Sequence, residues 1–191
     1  MLKEFEEQIT IDNFHQLSKS VKNIIFKERI DIIERIVSSM ITEKRFEHSL
    51  SVARVSKDLA LANHYDPQKA YLAGILHDIT KSLSKEEHLD YLRYYDQDKM
   101  ECPEPILHSY SAKYFIKEKL NYYDDEVLEA IYHHTDGLSN GKLSKILYIA
   151  DKREPLRGLD PHILNLAYTD LNKAFIELKE DVKEYLANRN E

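Results

Sequence analysis

The chain has 191 residues, the length of one domain with a substantial core. Hydrophobic residues make up 42% and charged residues 32%, glycine is scarce at 4 and tryptophan is absent, so a helical fold is favoured over a turn-rich β architecture. The formal net charge of -7 argues against a general nucleic-acid binder, but a small phosphorylated substrate needs only a local cluster of cations. With Cys102 as the single cysteine, an internal disulfide and a cysteine-rich zinc site are excluded.

The sequence also carries signals of location. The charged N-terminus lacks the apolar segment of a signal peptide, and no apolar run approaches the ~20 residues that cross a membrane. Together with the cysteine usage, these features predict a cytoplasmic protein with no membrane partner.

Residues 1–27 are the part of the chain with the least regular pattern. Their helix-compatible pieces predict a helical extension that packs on the main domain, with His15 at the surface. From about Glu28 an apolar stripe at helical spacing begins the domain that is predicted to occupy residues 28–191.

The next predicted helix starts near Lys44 and carries His48 in line with the core positions Val52 and Leu59. Taken alone, a histidine on an apolar face is more typical of a satisfied core residue than of a ligand. Other segments of the chain also place a histidine or an aspartate in or beside an apolar helical pattern. This recurrence favours a ligand role for His48.

The most informative stretch is Ala70–Lys81, in which an apolar helix runs directly into His77 and Asp78. A carboxylate is costly to bury unless it is paired or bound to a metal. Gly74 costs about 1 kcal/mol relative to alanine inside a helix, so it predicts a closely packed neighbouring helix. The pair alone also fits an ordinary helix end, and its interpretation depends on the other segments.

Two further helices follow. Ser84–Glu87 is a capping box that opens a short, tyrosine-rich helix to about Tyr95. This helix is predicted to cover one side of the site, with His88 at the surface or in a lid. A helix that begins at Pro105 turns His108 inward, because His108 shares its face with apolar residues.

The helix after Asp124 contains two adjacent histidines, which point about 100° apart. His134 shares a face with Val127 and Ile131, whereas His133 falls off that face. We therefore predict that His134 is a ligand and that His133 flanks it.

The last core helix is predicted from Lys142 to about Lys152, and in it Asp151 closes the apolar run 146–150. That position is unusual for a merely solvated carboxylate. A long C-terminal helix is predicted to begin at Asp160 and Pro161 and to serve packing, with His162 at the surface.

Metal-type ligands therefore recur on five segments, mostly as imidazoles with two carboxylates. They are His48, His77, Asp78, His108, His134 and Asp151. Two metal ions suit this set better than one, with Asp78 as a catalytic residue that bridges them and a water between them acidified to hydroxide. The mixture of ligands suits iron, manganese, cobalt or zinc rather than calcium.

Basic residues lie within a few positions of the predicted ligands in this acidic chain. They are Arg45, Lys81, Lys152, Arg153 and Arg157. Each one alone is more typical of a solvated helix end, but together they predict an anionic substrate, because phosphoryl transfer depends on cations and metals that stabilise charge. Lys81, as a catalytic and substrate-binding residue, and Arg157 are the strongest predictions.

The residues His48, His77, Asp78 and Asp151 resemble the H…HD…D signature of the HD-domain metal phosphohydrolases. Longer strings extend this resemblance to the bacterial YqeK-type enzymes, the symmetrical diadenosine tetraphosphate hydrolases, over about residues 28 to 188. The strings are 45–49, 76–81, 107–109, 130–137 and 148–157.

The resemblance implies an all-α HD-domain helical bundle, a dinuclear site with iron as the expected metal, and cleavage of diadenosine tetraphosphate into two ADP. It implies the same six ligands and makes a homodimer an expectation. It also adds Thr135 and Glu154 to Arg45, Lys81 and Arg157 as substrate-binding residues. Asp136 departs from the family by replacing a small hydroxyl residue, which adds negative charge beside a phosphate site.

Two alternatives remain at the level of the sequence. Another HD-type nucleotide phosphohydrolase would use the same metals and release inorganic phosphate. A helical nucleotide sensor would not be an enzyme, although it need not keep all six ligands. His108 and His134 favour a two-metal site, and the string 154–157 favours the tetraphosphate hydrolase.

Overall fold

A computed structural model describes residues 6–188, and all regular secondary structure in this range is helical. The predicted all-α fold is confirmed. The helices are α1 Ile11–Phe14, α2 Lys19–Glu28, α3 Ile30–Met40, α4 Glu43–Ala62, α5 Pro67–Leu76, α6 Lys85–Tyr95, α7 Glu104–Leu120, α8 Asp125–Tyr132, α9 Lys142–Arg153, α10 His162–Ala167 and α11 Leu171–Asn188. Short 3-10 turns lie at Gln97–Lys99 and Pro155–Arg157. No helix within residues 6–188 has both the length and the apolar character that a membrane crossing needs.

Helices α1 and α2 lie in the segment that was predicted as an extension. Phe14, Ile25 and Phe26 are buried in the same core as the rest of the protein. Residues 1–5 of the predicted extension and residues 189–191 of the predicted domain lie outside the described residues. The boundary between extension and domain stays a prediction.

The centre of the fold is the packing of α4 against α5. A Cβ atom added to Gly74 would lie 2.5 Å from the Cα atom of Ala53, so glycine is required for this approach. The close packing predicted from Gly74 is confirmed. It brings His48 of α4 beside His77 at the end of α5, with ring centroids 5.4 Å apart.

Helix α6 begins with the predicted capping box, in which Ser84 and Glu87 bond each other's backbone. The prediction that His88 lies at the surface is wrong. One turn into α6, its side chain faces α7, and its Nδ1 lies 2.7 Å from the Ser111 hydroxyl. The residue is therefore a buried, hydrogen-bonded part of the α6–α7 contact.

The C-terminal region differs from the single long helix that was predicted. The chain forms α10 and α11 with a break between them, because Asp170 caps a new helix by accepting a hydrogen bond from the Lys173 backbone. Both helices pack on α9 and support the segment that ends in Asp151. His162 is exposed, as predicted.

Candidate active site

The six predicted ligands come together from five segments of the fold. His48 lies on α4, His77 and Asp78 follow α5, His108 lies on α7, His134 follows α8 and Asp151 lies in the last turn of α9. Ligand atoms of five of the six form two groups in which all atoms lie within 4.8 Å of one another, and the sixth ligand, Asp151, lies beside the first group with its Oδ1 3.1 Å from His48 Nε2. The first group is His48, His77 and Asp78, and the second group is Asp78, His108 and His134. Asp78 belongs to both, which is the position that a bridging carboxylate requires.

In the first group, His77 is oriented by its own helix. Its Nδ1 donates a hydrogen bond to the Gly74 carbonyl at 2.7 Å, so its Nε2 presents a lone pair. Within residues 6–188, this buried Nε2 has no hydrogen-bond partner. It lies 3.7 Å from Asp151 Oδ1 and 3.8 Å from Asp78 Oδ2. An unpartnered imidazole nitrogen that faces two carboxylates fits a divalent metal ion.

His48 is held between two carboxylates. Its Nε2 lies 3.1 Å from Asp151 Oδ1, and its Nδ1 lies 3.1 Å from Glu154 Oε1. The other oxygen of Glu154 accepts hydrogen bonds from the Ser51 hydroxyl at 2.6 Å and from the Leu156 backbone at 2.7 Å. Glu154 is 2% exposed, and its oxygens are used by the chain's own donors. Its geometry therefore supports His48, and because Glu154 also lines the cavity above the site, its contact with substrate stays a prediction.

In the second group, three ligand atoms face one another. His108 Nε2 lies 3.1 Å from both Asp78 Oδ1 and His134 Nε2. The Nδ1 of His134 donates to the Ile131 carbonyl at 2.6 Å, which aims its Nε2 into the group. His134 lies two residues beyond the end of α8, in the following turn, and not on the helix itself as the sequence pattern had placed it. Lys81 Nζ lies 2.9 Å from His108 Nδ1.

Burial sets the charge of the innermost histidines. It lowers the pKa of His77 to about 4 and the pKa of His108 to about 4. Both are neutral at pH 7, which is the form that binds a metal. Burial also acts on His48, but its hydrogen bonds to Asp151 and Glu154 outweigh it and raise the pKa of His48.

The two shared carboxylates remain ionised. Burial raises the pKa of Asp78, but its electrostatic interaction with His77 and its hydrogen bonds with His108 and His134 hold it well below its usual range. Burial likewise raises the pKa of Asp151, and the ammonium of Lys152 with the hydrogen bond to His48 reverses the effect. The neutral imidazoles of His77 and His108 beside two carboxylates are donors suited to Fe, Mn, Co or Zn.

A cavity of about 730 Å³ opens over the two groups. Five cationic side chains line it, although the protein carries a net charge of -7. They are Lys44, Arg45, Lys81, Lys152 and Arg157. The predicted substrate-binding residue Thr135 also lines the cavity. This concentration of positive charge suits an anionic ligand.

Asp151 holds two of these cations in position by accepting hydrogen bonds from them. Arg157 donates from Nη2 to Asp151 Oδ1 at 2.9 Å, and Lys152 donates to Asp151 Oδ2 at 2.9 Å. Arg153, which the sequence grouped with them, instead pairs with Asp181 on α11. The sequence reasoning missed Lys44, whose only signal was its place beside Arg45 at the start of α4.

Asp136 does not line the cavity, although the sequence places it next to Thr135. Its Oδ1 lies 2.9 Å from His133 Nδ1, and its Oδ2 accepts a hydrogen bond from the Tyr110 hydroxyl at 3.1 Å. His133 therefore flanks the second group and belongs to this side network. The negative charge of Asp136 is directed away from the cationic wall.

Histidine and carboxylate groups beneath a cationic cavity define a metal-dependent hydrolase. Residues 45–156 match the HD domain family, and the chain belongs to that family. The family and the two groups together indicate a divalent-metal site.

Within the family, the chain is 34% identical over 163 residues to the symmetrical bis(5'-nucleosyl)-tetraphosphatase of Halalkalibacterium halodurans, with 82% of this chain and 87% of the relative covered. It is 32% identical to a probable nicotinate-nucleotide adenylyltransferase/Ap4A hydrolase of Mycoplasma pneumoniae, covering 85% of this chain and 49% of the relative. A crystal structure from Clostridium acetobutylicum, described as a "predicted HD superfamily hydrolase involved in NAD metabolism", gives a TM-score of 0.78 at 30% identity, with 84% of this chain and 88% of that chain covered.

Proposed function

We propose that this protein hydrolyses diadenosine tetraphosphate in the middle of its phosphate chain and releases two ADP. The observation that carries the proposal is the shared carboxylate of Asp78, which joins two ligand groups under a cavity lined by five cations. The names of the relatives from H. halodurans and other bacteria, as symmetrical bis(5'-nucleosyl)-tetraphosphatases, support this choice of substrate.

We infer that His48, His77, Asp78 and Asp151 hold one ion and that Asp78, His108 and His134 hold a second. When bound, such ions supply a nucleophile from water at neutral pH and neutralise charge on phosphate oxygens. Iron is the proposed metal, with manganese, cobalt and zinc as alternatives. The expected homodimer and the cytoplasmic location stay predictions.

The chain's own residues position the phosphates. Lys81, Lys152 and Arg157 surround the ligand groups, so they can bind the four phosphates before the reaction and stabilise the charge that develops during it. One oxygen–phosphorus bond forms between water and an inner phosphorus. The central anhydride bond breaks, and its electron pair leaves with the terminal phosphate of the departing ADP.

The test is a product analysis of the purified protein, whose metal content is first measured by plasma mass spectrometry. After incubation with diadenosine tetraphosphate, we expect ADP as the sole nucleotide product. AMP with ATP would show a shifted register, and inorganic phosphate would indicate a different phosphohydrolase. If metal-replete protein gave no turnover, the nucleotide sensor would replace the enzyme.

The same assay tests Asp78. We expect Asp78→Asn to lose bound metal and at least ~10³-fold in activity, because one carboxylate serves both groups. Asp58→Asn, an exposed change on α4, is the control and should keep both. Retention of metal and turnover by Asp78→Asn would overturn the site assignment.

A further inference from the structure

A second cavity of about 310 Å³ borders the active-site cavity. The two cavities share Lys81, Pro105 and His108 as walls. The remaining walls of this side cavity are Leu83, His88 and Glu104. It lies between the turn after α5 and the starts of α6 and α7, so it extends from the Lys81 end of the active site.

His88 is the residue that marks the side cavity as more than a gap in packing. It is 5% exposed, and its Nδ1 is engaged by Ser111. Among the residues that the structure describes, no donor or acceptor pairs with its Nε2. His88 belongs to neither ligand group, and its ring forms part of the wall of the side cavity. A ligand in the side cavity would give this nitrogen its partner.

The proposed substrate must extend from the metal centre in two directions. Diadenosine tetraphosphate carries a nucleoside at each end, and cleavage in the middle places the metal centre between the two halves. Thr42, Lys44 and Leu156 line the active-site cavity alone, on the side of α4 and the turn 155–157. The side cavity departs from a different part of the wall, which Lys81, Pro105 and His108 form.

Building on the proposed function, we propose that the side cavity binds one nucleoside of the dinucleoside substrate, with His88 and Glu104 as its hydrogen-bonding residues. The Lys81 ammonium lies at the border between the two cavities, where the phosphate chain of the substrate would join this nucleoside. Glu104 repels phosphate but accepts hydrogen bonds from ribose hydroxyls or an exocyclic amine. Leu83 and Pro105 present apolar surface to a base.

Two variants remove these contacts with little change elsewhere. In His88→Asn, the shorter amide keeps a partner for Ser111 and removes the atom that faces the cavity. In Glu104→Gln, an exposed carboxylate loses its charge without loss of size. Glu101→Gln is the matched control, because Glu101 is exposed three residues earlier and lines neither cavity.

The experiment compares the KM for diadenosine tetraphosphate with the inhibition constant of inorganic tetraphosphate, which has no nucleoside. We expect His88→Asn and Glu104→Gln to raise the KM about three- to tenfold, as the loss of one hydrogen bond does. The inhibition constant, metal content and kcat should stay within about twofold, and Glu101→Gln should resemble the wild type.

A parallel rise in the inhibition constant would overturn the inference, since the residues would then act on phosphate or on the fold. An unchanged KM in both variants, with ADP formed by the wild type, would overturn the inference alone. Absence of ADP from the wild type would overturn the proposed function, and this inference with it.

Discussion

The two ligand groups share Asp78 but differ in how their histidines are supported. In the first group, the outer nitrogens of His77 and His48 face the Gly74 carbonyl and the Glu154 carboxylate. In the second group, His134 has a carbonyl partner, whereas the ammonium of Lys81 lies 2.9 Å from both ring nitrogens of His108. Acceptors behind a histidine fix its orientation and raise its basicity as a ligand, whereas a cation does not.

The groups also differ in charge. Asp151 lies against His48 and His77, so two carboxylates serve the first group, whereas Asp78 alone serves the second. We therefore expect the first group to bind its ion more tightly. The second group, beside Lys81, is expected to bind its ion weakly and to depend more on the phosphates of the substrate.

The largest expected effect comes from deleting one histidine of each group. We expect His108→Ala to keep about one tightly bound ion per chain after desalting, and His48→Ala to keep less, because only His48→Ala damages the tighter site. Both variants should lose at least ~10²-fold in activity. Calorimetric titration of metal into the metal-free proteins, with plasma mass spectrometry of the desalted samples, measures the difference.

The control for this pair is His162→Ala, which removes an exposed histidine that belongs to neither group. It should bind metal as the wild type does. Equal losses of metal from His48→Ala and His108→Ala would contradict the comparison, because the two groups would then form a single cooperative site.

The pH dependence of stability in the metal-free protein gives a second test of the difference between the two groups. The pKa of His108 falls from 6.5 to about 4 on burial, so its neutral form stabilises the fold above pH 6.5 and that stability is lost as the pH falls towards 4. The contribution is on the order of 3 kcal/mol, since one unit of pKa corresponds to about 1.4 kcal/mol. His48 has the opposite sign: its raised pKa adds stability below 6.5, which is lost as the pH rises through the raised value.

We therefore expect the free energy of unfolding of the wild type to fall between pH 6.5 and pH 4, with His77 acting in the same direction as His108. In His108→Gln the fall should be smaller, whereas in His48→Gln it should stay close to that of the wild type, because the contribution of His48 is already complete below pH 6.5. Urea titrations of the metal-free proteins at several pH values measure this. Identical slopes for the two variants would show that acid does not distinguish the groups.

The sequence predicted the six ligands because each interrupts an apolar pattern. A histidine or aspartate in line with core residues such as Val52 or Ile131 must be buried, and a buried carboxylate needs a partner. The tight approach of α4 and α5 was readable from Gly74 for a similar reason, since glycine inside a helix needs a compensating contact.

The roles that the sequence did not predict depend on contacts between distant segments. Glu154 and His48 are 106 residues apart, so no local spacing shows that one supports the other. The burial of His88 depends on Ser111, which is 23 residues away on another helix. The break before Leu171 depends on a capping aspartate whose signal was hidden within a continuous apolar pattern.

The smallest expected effect concerns Glu154, the residue that holds His48 of the first group in place. Glu154 accepts from the Ser51 hydroxyl and the Leu156 backbone and holds His48 Nδ1. In Glu154→Gln, one oxygen is replaced by an amide NH2 group that cannot accept a hydrogen bond from His48 Nδ1, so His48 loses its fixed orientation. We expect the metal affinity of the first group to fall about 10- to 100-fold, with the second group unchanged, as measured by chelator competition.

Glu43→Gln provides the matched control, since Glu43 is an exposed carboxylate on the same helix, lines neither cavity and loses the same charge. It should leave the metal affinity within about twofold of the wild type. Ser51→Ala should have an intermediate effect, because it removes one of the donors that hold Glu154 in place. If Glu154→Gln kept the wild-type affinity, α4 alone would orient His48, and the difference between the two groups would have to arise from the charge of Asp151.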